Sequence, residues 1–123
     1  MNQSLKIPVL CAAILLLALA AAPAATGAEN AASIEVRLTE YAIDMPHTLP
    51  PGPTTFVLHN QGHKSHSFKL EGPGIADMTP VIVKSGKSGT AEVTLQPGEY
   101  KVWCPIGSHS AKGMTMTLTV KAK

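Results

Sequence analysis

A thiol, an imidazole and a thioether recur at five-residue intervals in the segment Trp103-Cys104-Pro105-Ile106-Gly107-Ser108-His109-Ser110-Ala111-Lys112-Gly113-Met114. As a pattern this is C-x-x-x-x-H-x-x-x-x-M. A strand ending at Cys104, a loop containing Gly107 and a strand starting near Met114 would fold the three side chains back toward one point. A second imidazole is on offer in Asn60-Gln61-Gly62-His63-Lys64-Ser65-His66, where one strand should end and the next begin. His66 fits a fourth ligand. Two neutral imidazoles, one thiolate and one weak axial thioether form the ligand set used in blue-copper electron transfer. Soft sulfur stabilises the reduced ion and nitrogen tolerates the oxidised one. A rigid framework that keeps one geometry in both states leaves little to reorganise when an electron moves.

Each donor also has a bland reading. Alone, Cys104 would be a buried small apolar residue, since free cysteine is among the most buried types; the spacing to His109 and Met114 argues otherwise. Met116 is the alternative axial ligand, but two residues along a strand keep it on the same face and one step farther from the loop. Core packing suits it better. His63 is the rival of His66, although Gly62 suggests a solvent-facing turn there. His59 and His47 read as surface or edge residues, and Met45 and Met78 as fillers of core gaps. Strand alternation points Trp103 away from Cys104, toward the opposite face of its sheet. Gly86-Lys87-Ser88 looks like the end of a phosphate-binding loop, but Val81 stands where its first glycine must be. A solvated hairpin turn is the better reading.

The elements that must position these donors are strands. After a polar start the chain alternates short β-branched or apolar runs with Pro and Gly punctuation, and helical periodicity is absent. Expected strands are Ser33 to Leu38, Tyr41 to Asp44, Thr54 to Asn60, His66 to Leu70, Pro80 to Val83, Thr90 to Leu95, Glu99 to Cys104 and Met114 to Val120. Turn chemistry separates them at Leu49-Pro50-Pro51-Gly52-Pro53, Glu71-Gly72-Pro73-Gly74, Ser85-Gly86-Lys87-Ser88-Gly89 and Gln96-Pro97-Gly98. Thr90, Glu92 and Thr94 alternate with Ala91, Val93 and Leu95, as in an antiparallel sheet with one face buried. The expectation is an all-β, two-sheet Greek-key sandwich of about eight strands.

The first 28 residues have a different composition. Lys6 precedes the apolar run from Val9 to Leu19, and Thr26-Gly27-Ala28 offers a small-x-small cleavage site. Residues 1–28 therefore read as a secretory signal peptide and residues 29–123 as one domain, periplasmic or otherwise exported. The apolar stretch is broken by Pro23 and hardly long enough to span a bilayer, so no stable membrane insertion is expected after cleavage. About 95 residues remain, enough for one modest core. They carry nine basic and eight acidic residues, a formal charge of about +1 against +2 for the full chain. That balance argues against a nucleic-acid partner, which would demand a clustered basic face. Loss of Cys11 with the signal leaves Cys104 as the one thiol in an oxidising compartment, so no internal disulfide can form.

With these residues in view, the mature chain resembles the cupredoxins, the family that includes plastocyanin, pseudoazurin, azurin, rusticyanin and the phytocyanins. The N-x-G-x-x-x-H stretch from Asn60 to His66 is similar to the family's first-ligand segment. Leu95-Gln96-Pro97-Gly98-Glu99-Tyr100 resembles its approach to the thiolate, and Met114 to Val120 its closing strand. The resemblance implies one type 1 copper ion held by His66, Cys104, His109 and Met114. It also implies a monomeric one-electron carrier, not an enzyme, whose redox partner proteins dock near the His109 ring edge and an apolar patch of Pro105, Ile106 and Ala111. Ser67 stands where many members have asparagine, Gly107-Ser108 replaces the usual Pro-Gly before the second histidine, and Pro105 contributes no amide donor. Outer bonds to sulfur tune the potential, so these departures bear on it. Copper delivery, buffering or resistance is the alternative function, and a metal-free sandwich binding module a third.

Overall fold

The computed structural model describes residues 31–123; the expected signal segment 1–28 lies outside the described residues. Nine strands are present among them: β1 (Ala32–Thr39), β2 (Ala42–Asp44), β3 (Thr48–Leu49), β4 (Gly52–Asn60), β5 (His66–Glu71), β6 (Val81–Val83), β7 (Ser88–Leu95), β8 (Gly98–Trp103) and β9 (Thr115–Val120). They form a four-stranded sheet in the order β2-β1-β4-β7 and a five-stranded sheet in the order β3-β9-β8-β5-β6. The chain crosses between sheets after β2, β3, β4, β6 and β7, which makes the sandwich expected from the punctuation.

Both sheets are mixed. β1 runs parallel to β4, from Ala32 beside Thr54 to Leu38 beside Asn60, and β3 runs parallel to β9. The other pairings are antiparallel. The strand added to the eight expected is β3, two residues caught between Pro46 and Pro50. A run that short carries no legible period. Its backbone is tied to the β9 segment along one side, for Thr119 N–H donates to the His47 carbonyl at 2.8 Å and Lys121 N–H to that of Leu49 at 3.1 Å.

Alternation decides which side chains meet between the sheets. In β1, Val36 and Leu38 are buried while Glu35 and Arg37 are exposed; in β7, Ala91 and Leu95 are buried while Thr90 and Glu92 are exposed. Phe56 of β4 and Phe68 of β5, both fully buried, face each other across the sandwich with ring centroids 5.1 Å apart. Burying rings of this size supplies much of the stabilisation a small core can offer. Tyr100 of β8 is buried too, and its polar end is satisfied: the hydroxyl donates to the Pro73 carbonyl and accepts from the Gln96 N–H at 2.9 Å. Gly72 lies against that ring, since a Cβ there would sit 2.5 Å from Tyr100 Cδ1. Trp103 is half-buried on the outer face, as alternation requires, with Lys101 Nζ 4.5 Å and Lys69 Nζ 5.5 Å from its ring centroid.

Candidate metal centre

The site lies where β4 passes to β5 and β8 passes to β9. Asn60, last residue of β4, is buried and uses its whole amide to shape the connection to β5. Its Nδ2 donates to the carbonyls of Lys64 and Val83, each at 2.8 Å, and its Oδ1 accepts from the Gly62 N–H at 2.9 Å. The chain thereby doubles back, and β5 begins with His66 pointing inward, 0% exposed.

The second segment is a loop closed by its own backbone. Cys104 N–H donates to the Met114 carbonyl and Met114 N–H to the His109 carbonyl, both at 3.1 Å. Cys104 and Met114 thus continue the β8–β9 pairing one step beyond the strands themselves. Within the loop His109 N–H reaches the Ile106 carbonyl, Lys112 N–H those of Ser108 and His109, and Gly113 N–H that of Ser110. Gly107 (φ +48°) and Gly113 (φ +111°) take the left-handed conformations that let so short a loop return.

These two segments bring together three of the four residues singled out in the sequence. The donor atoms of His66, Cys104 and His109 all lie within 4.8 Å of one another. Cys104 Sγ is 3.6 Å from His109 Nδ1, and the two imidazole centroids are 5.1 Å apart at 55°. Met114 is fully buried at the loop's end. Met116, one register step along β9 opposite Val102, is half-buried against the core. His63 is exposed and meets its surroundings through its backbone N–H. His59 sits on the outer face of β4 against Glu35 and Ser88, and His47 is exposed beside β3. Met45 is buried in the core and Met78 is packed at its margin.

The donor chemistry fits one copper ion. His66 Nδ1 is a buried nitrogen with no hydrogen-bond partner, and its residue belongs to the cluster that contains Cys104 and His109. An orphaned buried polar atom is costly, and a metal that accepts its lone pair removes that cost. Ser67 N–H donates to Cys104 Sγ at 3.3 Å. Asparagine is not needed for this bond because the backbone makes it; the Ser67 hydroxyl itself is buried without a partner. His109 is held below the ordinary histidine value, first by burial and then by electrostatic interaction with the neighbouring His66, Lys112 and Lys64, with Glu40 opposing. A ligand must present a neutral ring, and that downward push favours it.

Two neighbours escaped sequence reading. Glu40, in the β1–β2 turn, places Oε1 2.6 Å from His63 N, 3.0 Å from Lys64 N and 3.3 Å from His66 Nε2. Burial of the carboxyl raises its pKa, but the N–H groups of Lys64 and His63 and the His66 ring outweigh that and hold it below the usual value. Tyr41, next in the chain, packs its ring edge-on to His109 at 5.3 Å. Nothing in the local pattern of Thr39-Glu40-Tyr41 advertises either contact. The one available signal was an acidic residue and an aromatic side by side in a turn.

The sequence matches the model of the cupredoxin-like domain over residues 9–120. No curated protein matches it. Among solved structures, it is similar to dithionite-reduced auracyanin from the photosynthetic bacterium Roseiflexus castenholzii, with a TM-score of 0.60 and 21% identity over 74% of this chain and 98% of that one. Auracyanin B gives a TM-score of 0.60 and 22% identity over 74% and 89%. A multicopper oxidase gives 0.58 and 10% identity, over 73% of this chain and 44% of its own. At such identities the likeness is one of fold.

Proposed function

The chain belongs to the cupredoxin-like family, and from that premise we propose that it is a type 1 (blue) copper protein acting as an exported, soluble one-electron carrier, with His66, Cys104, His109 and Met114 as ligands. One observation carries the reading: a buried imidazole nitrogen without a partner sits in one cluster with a buried thiol and a second imidazole. Copper bound there supplies a Cu(II)/Cu(I) couple. The residues do the rest. The Cys104 loop is closed by its own backbone bonds, which do not depend on oxidation state, and the Ser67 N–H at the start of β5 steadies negative charge on Sγ. His66 and Cys104 are closed to solvent while His109 is half-exposed, so the His109 edge is the natural point of electron exchange. Around it Pro105 and Ala111 are exposed and Ile106 is half-buried, the face we assign to redox partner proteins. Such a carrier is not itself an enzyme. Copper delivery is the weaker reading, because an enclosed pair of ligands exchanges metal slowly.

The test is a visible spectrum. Adding Cu(II) to the purified protein should give an intense blue colour that bleaches on reduction and returns on reoxidation with the metal retained. A colourless product argues for a metal-free module, and rapid loss of copper to a chelator argues for delivery. Met114→Gln addresses the axial position. Copper and colour should persist, while the harder amide oxygen favours Cu(II) and lowers the potential by at least about 59 mV, one tenfold change in relative affinity. An unmoved potential would remove Met114 from the ligand set.

A further inference from the structure

We propose that Glu40 is a positioning residue of the metal centre: its carboxylate fixes the His66 ring with Nδ1 free to face Cys104 and His109, and its charge lowers the reduction potential. The inference rests on the copper reading for its second half only. An ionised carboxylate can only accept, so the 3.3 Å contact requires His66 Nε2 to carry the proton. Nδ1 is then left with its lone pair, and it is that atom which has no partner in the protein. Carboxylates that receive the second N–H of a metal-binding histidine orient the ring and raise its basicity.

The surroundings are built around this carboxylate. Oε1 also takes the N–H groups of His63 and Lys64, so one atom anchors the β1–β2 turn to the segment that delivers His66. Gly62 is buried beside it, and a Cβ there would lie 2.3 Å from Oε1 and 2.9 Å from Cδ of Glu40. The missing side chain makes the cradle. The following residue, Tyr41, has φ +62° and is the one non-glycine residue in left-handed backbone among those described. For a bulky residue that conformation is disfavoured and persists where the surroundings enforce it. Here the Tyr41 ring meets His109, with Lys112 Nζ 3.3 Å from its hydroxyl. A single strained turn therefore contacts both imidazoles, Glu40 the first and Tyr41 the second.

Three variants test this. In the full-length, metal-free protein at a pH where the ring is neutral, ¹⁵N NMR should report His66 as the Nε2–H tautomer in wild type. It should report the same tautomer in Glu40→Gln, whose amide oxygen still accepts, and a mixture in Glu40→Ala. Gly62→Ala, which keeps the carboxylate but fills its cradle, should behave as Glu40→Ala does. With copper bound, Glu40→Gln should lose about tenfold more affinity for Cu(II) than for Cu(I), a rise of about 59 mV. A single Nε2–H tautomer in Glu40→Ala overturns the positioning claim, and an unchanged potential in a blue Glu40→Gln protein overturns the charge claim. If wild type takes up no copper, the copper reading and the charge claim fall together, while the tautomer measurement still decides what Glu40 does for His66.

Discussion

Replacing Cys104 by serine should abolish the blue absorption of the copper-loaded protein altogether. The colour of such a centre is electron transfer from thiolate to copper, so the band needs an ionised sulfur bound to the ion. A serine hydroxyl at the same place is smaller, harder and protonated at neutral pH. Two imidazoles remain, and they can hold Cu(II) weakly without the band. The backbone has little reason to move: Cys104 N–H keeps its bond to the Met114 carbonyl, and the Ser67 N–H meets an oxygen instead of a sulfur. Far-ultraviolet circular dichroism should therefore match wild type while the visible spectrum is empty. Persistence of the blue colour in Cys104→Ser would refute the assignment.

The second large effect is on stability. Phe68→Ala should destabilise the protein by about 3–5 kcal/mol, the cost of removing a buried aromatic and leaving a cavity behind. Against the roughly 5–15 kcal/mol typical of a domain, that is a fifth of the total or more. The site is severe because Phe68 is 0% exposed and stacks at 43° on Phe56 of the opposite sheet, so neither layer can relax into the gap without giving up packing elsewhere. It is also only two residues from His66 on the same strand. A urea midpoint read by tryptophan fluorescence, with Ile82→Ala as the exposed control, measures it. Ile82 is 66% exposed and should cost little. Equal losses in both variants would mean that the inter-sheet core is not what holds the fold.

The donors were legible because soft and borderline ligand types at fixed spacing are rare and chemically pointed. A cysteine, a histidine and a methionine in one loop leave few alternative explanations, and in the fold Cys104 and His109 lie beside His66. The strands were legible too, since Pro and Gly marked their limits; the eight expected segments appear with ends shifted by a residue or two. What escaped was long-range. The two parallel pairings leave no trace in local alternation, because β1 reads the same whichever neighbour it finds. β3 is too short to have a period. Glu40 lies 26 positions from His66, and a lone acidic residue in a turn is ordinarily solvated. Donor types are written in the sequence, whereas the groups that orient them are selected by three-dimensional proximity.

The parallel pairing of β3 with β9 joins residues far apart in the chain. Thr48 has Thr119 as its partner and Leu49 has Val120, so the loop to be closed spans most of the described chain. Closure entropy grows with loop length, and topologies rich in distant pairings refold in milliseconds to seconds rather than microseconds. The residues numbered 66 and 104 to 109 come face to face only once β5 has found β8. In the unfolded chain only the local donors of the 104–114 segment are close together, and His66 joins them when the sheet forms. Copper held by the native fold would stabilise it by mass action, less whatever hold it has on the unfolded loop.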